Sequence, residues 1–273
     1  MPPTKKHPVA FLGAGNMATA LVRGFAAAKL FRPAEMIVTD TDGAKRQAAK
    51  RKLGVAATAD NLEAVRGARV VVLAVKPQVI DAVLDEIRPA VTARHLFVSI
   101  AAGVTTRRME RHLGARARVV RVMPNTPALL GLGMSVIVRG RRATVADERL
   151  ALRLFRSVGD AVATKSEASL DAVTGLSGSG PAYVYLFAEA LIRGGVEAGL
   201  PLETSRRLAL QTILGAAHML TETGESPEDL RAAVTSPGGT TLAGLTEMQR
   251  RRFTDIVAAG VVAATARSRE LGK

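Results

Sequence analysis

The chain has 273 residues, 48% of them hydrophobic, enough for one large or two medium domains with real cores. It has no cysteine, which excludes disulfides and thiolate chemistry, and no apolar run reaches the length of a membrane span. The formal charge of +14 raises nucleic acid as a partner, but the basic residues lie in short scattered groups and aromatics make up only 3%. That pattern reads as an arginine-rich solvated surface without a platform for stacked bases.

The polar start, Met1–Pro8, leads straight into an apolar run, so no cleavable signal is expected, and the lack of cysteine fits a cytoplasmic setting. Val9–Leu12 reads as a short strand, followed by a tight turn and a helix over Asn16–Ala28. Gly13 and Gly15 are the first two glycines of G-x-G-x-x-G/A, with Ala18 in the third place. Gly13 permits the sharp turn, Gly15 lets backbone N–H groups approach a pyrophosphate, and Ala18 lets the helix lie close to the strand. The helix N-terminus adds free N–H groups and a positive dipole end. Alone this motif also describes an ordinary glycine turn. The second apolar strand, Met36–Thr39, ends on Asp40 and completes a unit of βαβ length.

Further strands are expected at Val70–Val75, Leu96–Ile100, Val119–Val122 and Met134–Val138, with a last one at Ala161–Thr164. Several are continuous β-branched runs, as in a parallel sheet covered on both faces. Helical spacers fall at Gly43–Lys52, Val79–Ile87 and Thr106–Leu113. The pattern predicts a doubly wound α/β sheet of the Rossmann type over residues 1–165.

From residue 166 to 273 no strand pattern appears, and an all-α domain is expected. Pro181–Ala198 is apolar almost all round, which requires cover on every face and points to a second subunit. Gly199-Leu200-Pro201 stops that helix. Leu210, Ile213, Leu214, Ala217 and Leu220 recur at helical spacing. Ser226 caps a helix with Pro227 at its first position, and Phe253–Leu271 forms the last helix.

Four loops are candidates for chemistry. Ala74-Val75-Lys76-Pro77-Gln78 leaves a central strand at its carboxyl edge, where open α/β sheets bind ligands; Lys76 also fits a plain surface lysine. Ser99–Val104 ends the next strand in small residues, which admit a flat ring or make a simple turn. Met123-Pro124-Asn125-Thr126-Pro127 holds an amide and a hydroxyl between prolines, as a stiff presenting loop or a capped turn. Thr235–Thr241 opens a helix after Gly238-Gly239. Its consecutive N–H groups form an anion nest suited to a carboxylate, a role compatible with an N-cap and glycine hinge.

The four histidines, His7, His95, His112 and His218, lie away from these loops or on helix faces. No cluster has metal-ligand spacing, so no metal is expected. Gly178-Ser179-Gly180 reads as a turn before a buried helix, not as a nucleophile elbow. A cofactor site and an anion nest without acid–base machinery suit hydride transfer to an electrophilic C=N bond.

At these loops the sequence resembles the pyrroline-5-carboxylate reductase family. The matching stretches are Phe11–Met17, Ala74–Pro77, Val98–Val104, Met123–Pro127, Gly178–Tyr183 and Ser236–Thr241, in the family's order from residue 9 to the last helices. The resemblance implies a nucleotide-binding domain and a helical dimerisation domain, with dimers often assembled as a ring of five. It implies NAD(P)H-dependent reduction of 1-pyrroline-5-carboxylate to L-proline. By motif, Ser236, Gly238, Gly239, Thr240 and Thr241 form the substrate loop, with the Thr241 hydroxyl on the ring nitrogen. Asn16 and Met17 join Gly13 and Gly15 in the cofactor loop. Asn61 lies near the adenosine ribose, and Ala74, Val75, Lys76, Pro77, Ala102 and Asn125 lie about the nicotinamide riboside.

The chain departs from the family at Asp40. An acid there ordinarily bonds a ribose 2′-hydroxyl and favours NAD, whereas many family members prefer NADP. Lys45 and Arg46 could still clamp a phosphate. The resemblance favours NADP and leaves NAD open. A related imine or β-hydroxyacid reductase is the alternative, but those enzymes carry a lysine on a helix of the second domain. Lys165 is the only lysine between Ser157 and Gly272.

Overall fold

The computed structural model describes residues 7–272. All but His7 and Pro8 of the polar start, where no cleavable signal is expected, lies outside the described residues. The first half alternates β1 (Val9–Leu12), α1 (Asn16–Ala27), β2 (Met36–Thr39), α2 (Gly43–Leu53), β3 (Ala56–Thr58), α3 (Asn61–Gly67), β4 (Val70–Leu73), α4 (Ile80–Ile87), β5 (Leu96–Ser99), α5 (Thr106–Leu113) and β6 (Arg118–Pro124). β7 (Gly133–Arg139), α6 (Val145–Phe155) and β8 (Gly159–Thr164) follow. The rest is helical: α7 (Ser169–Val173), α8 (Gly180–Glu197), α9 (Leu202–Glu222), α10 (Pro227–Ala233), α11 (Thr240–Arg250) and α12 (Phe253–Leu271).

The eight strands form one sheet in the order β3-β2-β1-β4-β5-β6-β7-β8. Strands β1 to β6 run parallel to one another, and the order reverses between β1 and β4, as in a doubly wound sheet. The pairing of β6 with β7 is antiparallel. Only the short connection 125–132, mostly a 3₁₀ turn at Thr126–Leu130, separates them. A parallel return would need a crossover of roughly a dozen residues. α6 provides such a crossover between β7 and β8, which are parallel.

Buried side chains cover both sheet faces. Phe11, Phe25 and Phe155 lie on the face covered by α1 and α6, and Leu73, Leu84, Phe97 and Met109 on the face covered by α3, α4 and α5. Truncating one such phenylalanine typically costs about 3–5 kcal/mol. α1 lies tight because Ala18 is buried, as expected, and because a Cβ at Gly24 would overlap the Val158 side chain. Local signals set the helix starts. Asp42 accepts the Ala44 N–H at 2.8 Å at the head of α2, and Gly54 ends that helix at φ +67°. Thr144 and Asp147 form a reciprocal capping box at α6.

The chain divides into two compact units. One runs up to Ser179 and takes back the segment from Ala263 onward; the other is Gly180–Val262. The break thus falls after residue 166, where the strand pattern stops. α7 and the π-helical turn Thr174–Gly178 stay with the sheet, because Leu170 is buried against Val136 and Val138 of β7. Gly178-Ser179-Gly180 is no free turn: it joins this π turn to α8. Nor is α8 buried in the chain by itself. Ala188 is its buried residue, while Tyr185 is 59% and Leu186 65% exposed. Among the described residues no helix is long and apolar enough to cross a membrane, and no group of His, Cys, Asp and Glu could hold a metal ion.

Candidate functional site

The loops after β1, β2, β4, β5 and β6 all open at the carboxyl edge of the parallel strands. At the switch point the glycine turn is pressed against the loop after β4. Gly13 has φ +104°, and a Cβ there would lie 2.6 Å from the Ala74 carbonyl oxygen. The Gly13 N–H donates to Thr39 O at 2.9 Å, and the Ala74 N–H donates to Leu12 O at 2.8 Å. Gly13 is therefore required by the fold.

Gly15 is not. It is the N-cap of α1, no side chain caps the helix, and a Cβ there would meet no protein atom within 4 Å. A glycine that the protein does not need, in front of uncapped helix N–H groups, fits a pyrophosphate approaching from outside. Asn16 is exposed beside it, and Met17 is half-buried against the core.

Asp40 faces inward. Its side chain is 13% exposed; Oδ2 accepts the Ala14 N–H at 3.0 Å and Oδ1 accepts the Asp42 N–H at 3.0 Å. The Lys45 ammonium stands 3.8 Å from Oδ2. Arg46 donates to Asp40 O at 2.7 Å and to Thr41 O at 3.0 Å, so two cations sit on this turn. Asn61, placed by resemblance near a ribose, uses both ends of its amide within the protein. Oδ1 accepts from the Thr39 hydroxyl at 2.5 Å, and Nδ2 donates to Glu86 at 2.9 Å.

β4 ends at Leu73, earlier than its β-branched run suggests, so Ala74, Val75, Lys76 and Pro77 lie in the loop. Ala74, Val75 and Pro77 are half-buried, Lys76 exposed. Ala102 is exposed in the loop after β5. Asn125 is held at both ends: Oδ1 accepts the Met134 N–H at 2.8 Å, and Nδ2 donates at 3.3 Å to both the Ser177 carbonyl and its hydroxyl. Ser177 lies on the π turn and escaped the sequence reading. The π turn Thr174–Gly178 that presents it shows only in the structure, and such a turn inside a helical run often marks a functional position. Met123 also meets this turn: a Cβ on Gly178 would lie 2.5 Å from its Cε.

The second unit carries the other candidate loop. Gly238 has φ +70°, and the Gly239 N–H donates to Ser236 O at 3.0 Å, closing the turn. A Cβ on Gly239 would overlap the Ser236 hydroxyl. Gly239 caps α11 with its backbone alone, so Thr240 and Thr241 offer first-turn N–H groups without a side-chain competitor. Thr241 is half-buried. The two candidate loops thus lie in different units.

Two shifted groups away from the crevice have structural causes. Arg108 holds the Asp81 carboxyl below its usual range through bonds of 3.0 and 2.6 Å. Burial, then Arg94, pushes the His95 imidazole down. Lys165 lies in the bend after β8 and not on a helix, which weakens the alternative that needs a helical lysine.

A doubly wound sheet with a glycine turn at its switch point, followed by a helical unit, defines a dinucleotide-dependent oxidoreductase. Residues 8–103 match the family described as NADP oxidoreductase, coenzyme F420-dependent, and residues 167–271 match pyrroline-5-carboxylate reductase dimerisation. The pyrroline-5-carboxylate reductase of Pisum sativum is 43% identical over 97% of this chain and 96% of its own length. A solved pyrroline-5-carboxylate reductase from Coxiella burnetii superposes with a TM-score of 0.91 at 38% identity, covering 98% of this chain and 99% of that one. A Plasmodium falciparum pyrroline carboxylate reductase, solved with NADP bound, gives a TM-score of 0.87 at 32% identity, covering 99% of this chain and 100% of that one. The chain belongs to the pyrroline-5-carboxylate reductase family.

Proposed function

We infer that this chain reduces the C=N bond of 1-pyrroline-5-carboxylate to give L-proline, with NADP(H) as cofactor. Family membership along nearly the whole chain supports the substrate. The observation that carries the cofactor half is Gly15, a glycine unneeded by the fold in front of an uncapped helix.

Bound NAD(P)H supplies a hydride to the imine carbon. The protein binds and orients. N–H groups at the head of α1, with Gly13, Gly15, Asn16 and Met17, receive the pyrophosphate. Ala74, Val75, Lys76, Pro77, Ala102 and Asn125 flank the nicotinamide riboside. Asn61, Asp40 and Lys45 serve the adenosine side. The inward turn of Asp40, with Lys45 and Arg46 beside it, supports NADPH over NADH, because the carboxylate that would repel a 2′-phosphate already holds two backbone N–H groups. On the substrate side, the Ser236–Thr241 turn takes the carboxylate on its N–H groups. The Thr241 hydroxyl bonds the ring nitrogen and steers the proton that the product amine needs.

The C-terminal helices carry self-association. A ring of five dimers, a cytoplasmic setting and the absence of a nucleic-acid role complete the proposal.

The test is oxidation of NADPH and NADH, each with 1-pyrroline-5-carboxylate, followed spectrophotometrically. Thr241→Ala is expected to lower kcat by roughly 10²-fold, the scale of a lost proton-steering group, and Thr241→Ser to keep most of it. Full activity in Thr241→Ala removes that residue from the mechanism. A lower KM for NADH, with a large gain for NADPH in Asp40→Ser, reverses the cofactor assignment.

A further inference from the structure

We propose that the pair of buried Arg121 and half-buried Glu167 is a positioning device for the loop 100–105, holding Ala102 against the nicotinamide half of the cofactor. This rests on the cofactor assignment above.

Arg121 lies in β6 on a face otherwise apolar and is 4% exposed. Its Nη1 donates to Glu167 Oε1 at 3.1 Å. The same carboxylate accepts the Thr106 N–H at 2.7 Å on Oε1 and the Thr106 hydroxyl at 2.7 Å on Oε2. Thr106 is the first residue of α5, so Glu167 satisfies an orphan N–H and meets the positive end of the helix dipole. Arg121 is also the ladder partner of Ser99, the last residue of β5. One residue therefore references both ends of the loop: its backbone the entry, through strand pairing at Ser99, and its side chain the exit, through Glu167 at Thr106.

Ala101 and Val104 pack into the core, while Ala102 between them is exposed and needs its direction set by the ends of the loop. A cavity of about 310 Å³ adjoins the loop, lined by Gly103, Thr105, Arg121, Glu167, Asp171 and Gly272 among others. The middle of the loop rests on the end of α12, where a Cβ on Gly103, at φ +76°, would lie 3.4 Å from Leu271 O. That end is pinned in turn by a 2.7 Å bond from the Ser268 hydroxyl to Asp171.

Stability is a weak reason for such a pair. Replacing a buried ion pair by apolar residues of similar size is often neutral or stabilising, because desolvation offsets the attraction. Geometry is the stronger reason, since a bidentate carboxylate fixes Thr106 in distance and direction. A displacement of the loop by about 1 Å would move the nicotinamide face out of line, and errors of that size cost up to roughly 10²-fold in rate.

The test compares Glu167→Gln, Thr106→Val and the apolar double variant Arg121→Met/Glu167→Leu with the wild-type chain. Titration calorimetry gives the Kd of the preferred reduced dinucleotide and of its adenosine fragment, 2′,5′-ADP or ADP, and melting gives Tm. Each variant is expected to weaken the intact dinucleotide about tenfold while the fragment binds within about twofold of wild type. The double variant is expected to melt near wild type. Unchanged dinucleotide affinity in Glu167→Gln and Thr106→Val overturns the inference. So does an equal loss for dinucleotide and fragment, which marks a general structural role. If wild type binds neither ligand, the cofactor assignment itself fails.

Discussion

The sheet-bearing unit and the helical unit treat their apolar residues in opposite ways. In the first, Phe11, Phe25, Phe97 and Phe155 are fully buried, and two cores cover the two faces of the sheet. In the second, Leu186 and Ile256 are 65% and 64% exposed, although Phe187 and Phe253 pack with ring centroids 6.1 Å apart. An apolar groove of about 640 Å³ runs along α8 and α12 between Tyr183, Leu186, Phe187, Phe253 and Ile256. The first unit has a core of its own. The second has the composition of a core and the exposure of a surface, which is the condition of a subunit interface. The dimerisation family matched by residues 167–271 agrees with this.

The contrast can be broken from either side. The largest effect is expected in the first unit. Gly13→Ala must place a Cβ against Ala74 O at a positive φ, so the turn cannot close as it is. Dinucleotide affinity and kcat/KM should fall by at least about 10²-fold, and Tm should drop with them. A variant that melts like wild type and keeps its affinity would show that the crevice tolerates what its geometry forbids.

Next comes the helical unit. Leu186→Asp should dissociate the assembly, raising the dimer Kd by more than roughly 10²-fold, about 3 kcal/mol for a central interface side chain. Sedimentation reads this directly. A dimer that persists moves the interface off this groove.

Gly15→Ala sharpens the difference between fold and function within one turn. Tm should stay at the wild-type value, because the added methyl meets no protein atom. Dinucleotide binding should weaken about tenfold, the scale of a lost helix-end anion contact. An unchanged Kd would remove the pyrophosphate from α1.

The smallest effect concerns His95. It is fully buried beside Phe97, accepts the Thr92 N–H at 3.0 Å, and is held below its usual pKa first by burial and then by Arg94. Above about pH 6.5 the ring is neutral in folded and unfolded chains alike, and its full contribution is present. As pH falls from there through the depressed folded value, the unfolded chain takes the proton first and stability is lost. The wild type should lose more Tm between about pH 7.5 and pH 5 than His95→Gln does. Equal losses would assign acid sensitivity to other groups.

Much of this was legible because it is local. Val9–Leu12 and Met36–Thr39 announce themselves as apolar runs, and Gly13 and Gly15 as turn glycines. Ser226 accepts the Asp229 N–H at 3.1 Å, as an N-cap before Pro227 should. Strand β3 escaped because an edge strand of three half-buried residues, Ala56–Thr58, carries little pattern. α6 had a readable signal in the Thr144–Asp147 capping box, which the segment's mixed polarity obscured.

The amino-acid sequence by itself determined the alternation of strands and helices, the glycine turns, the uncapped head of α11 and the family, since each depends on residues close along the chain. Tertiary structure alone decided where Asp40 points, what Asn61 and Asn125 hold, that β7 runs against β6, and that one half-buried carboxylate joins Arg121 to Thr106. Those outcomes hang on partners far apart in sequence, and hydrogen bonds select such partners only after the sheet has brought them within reach.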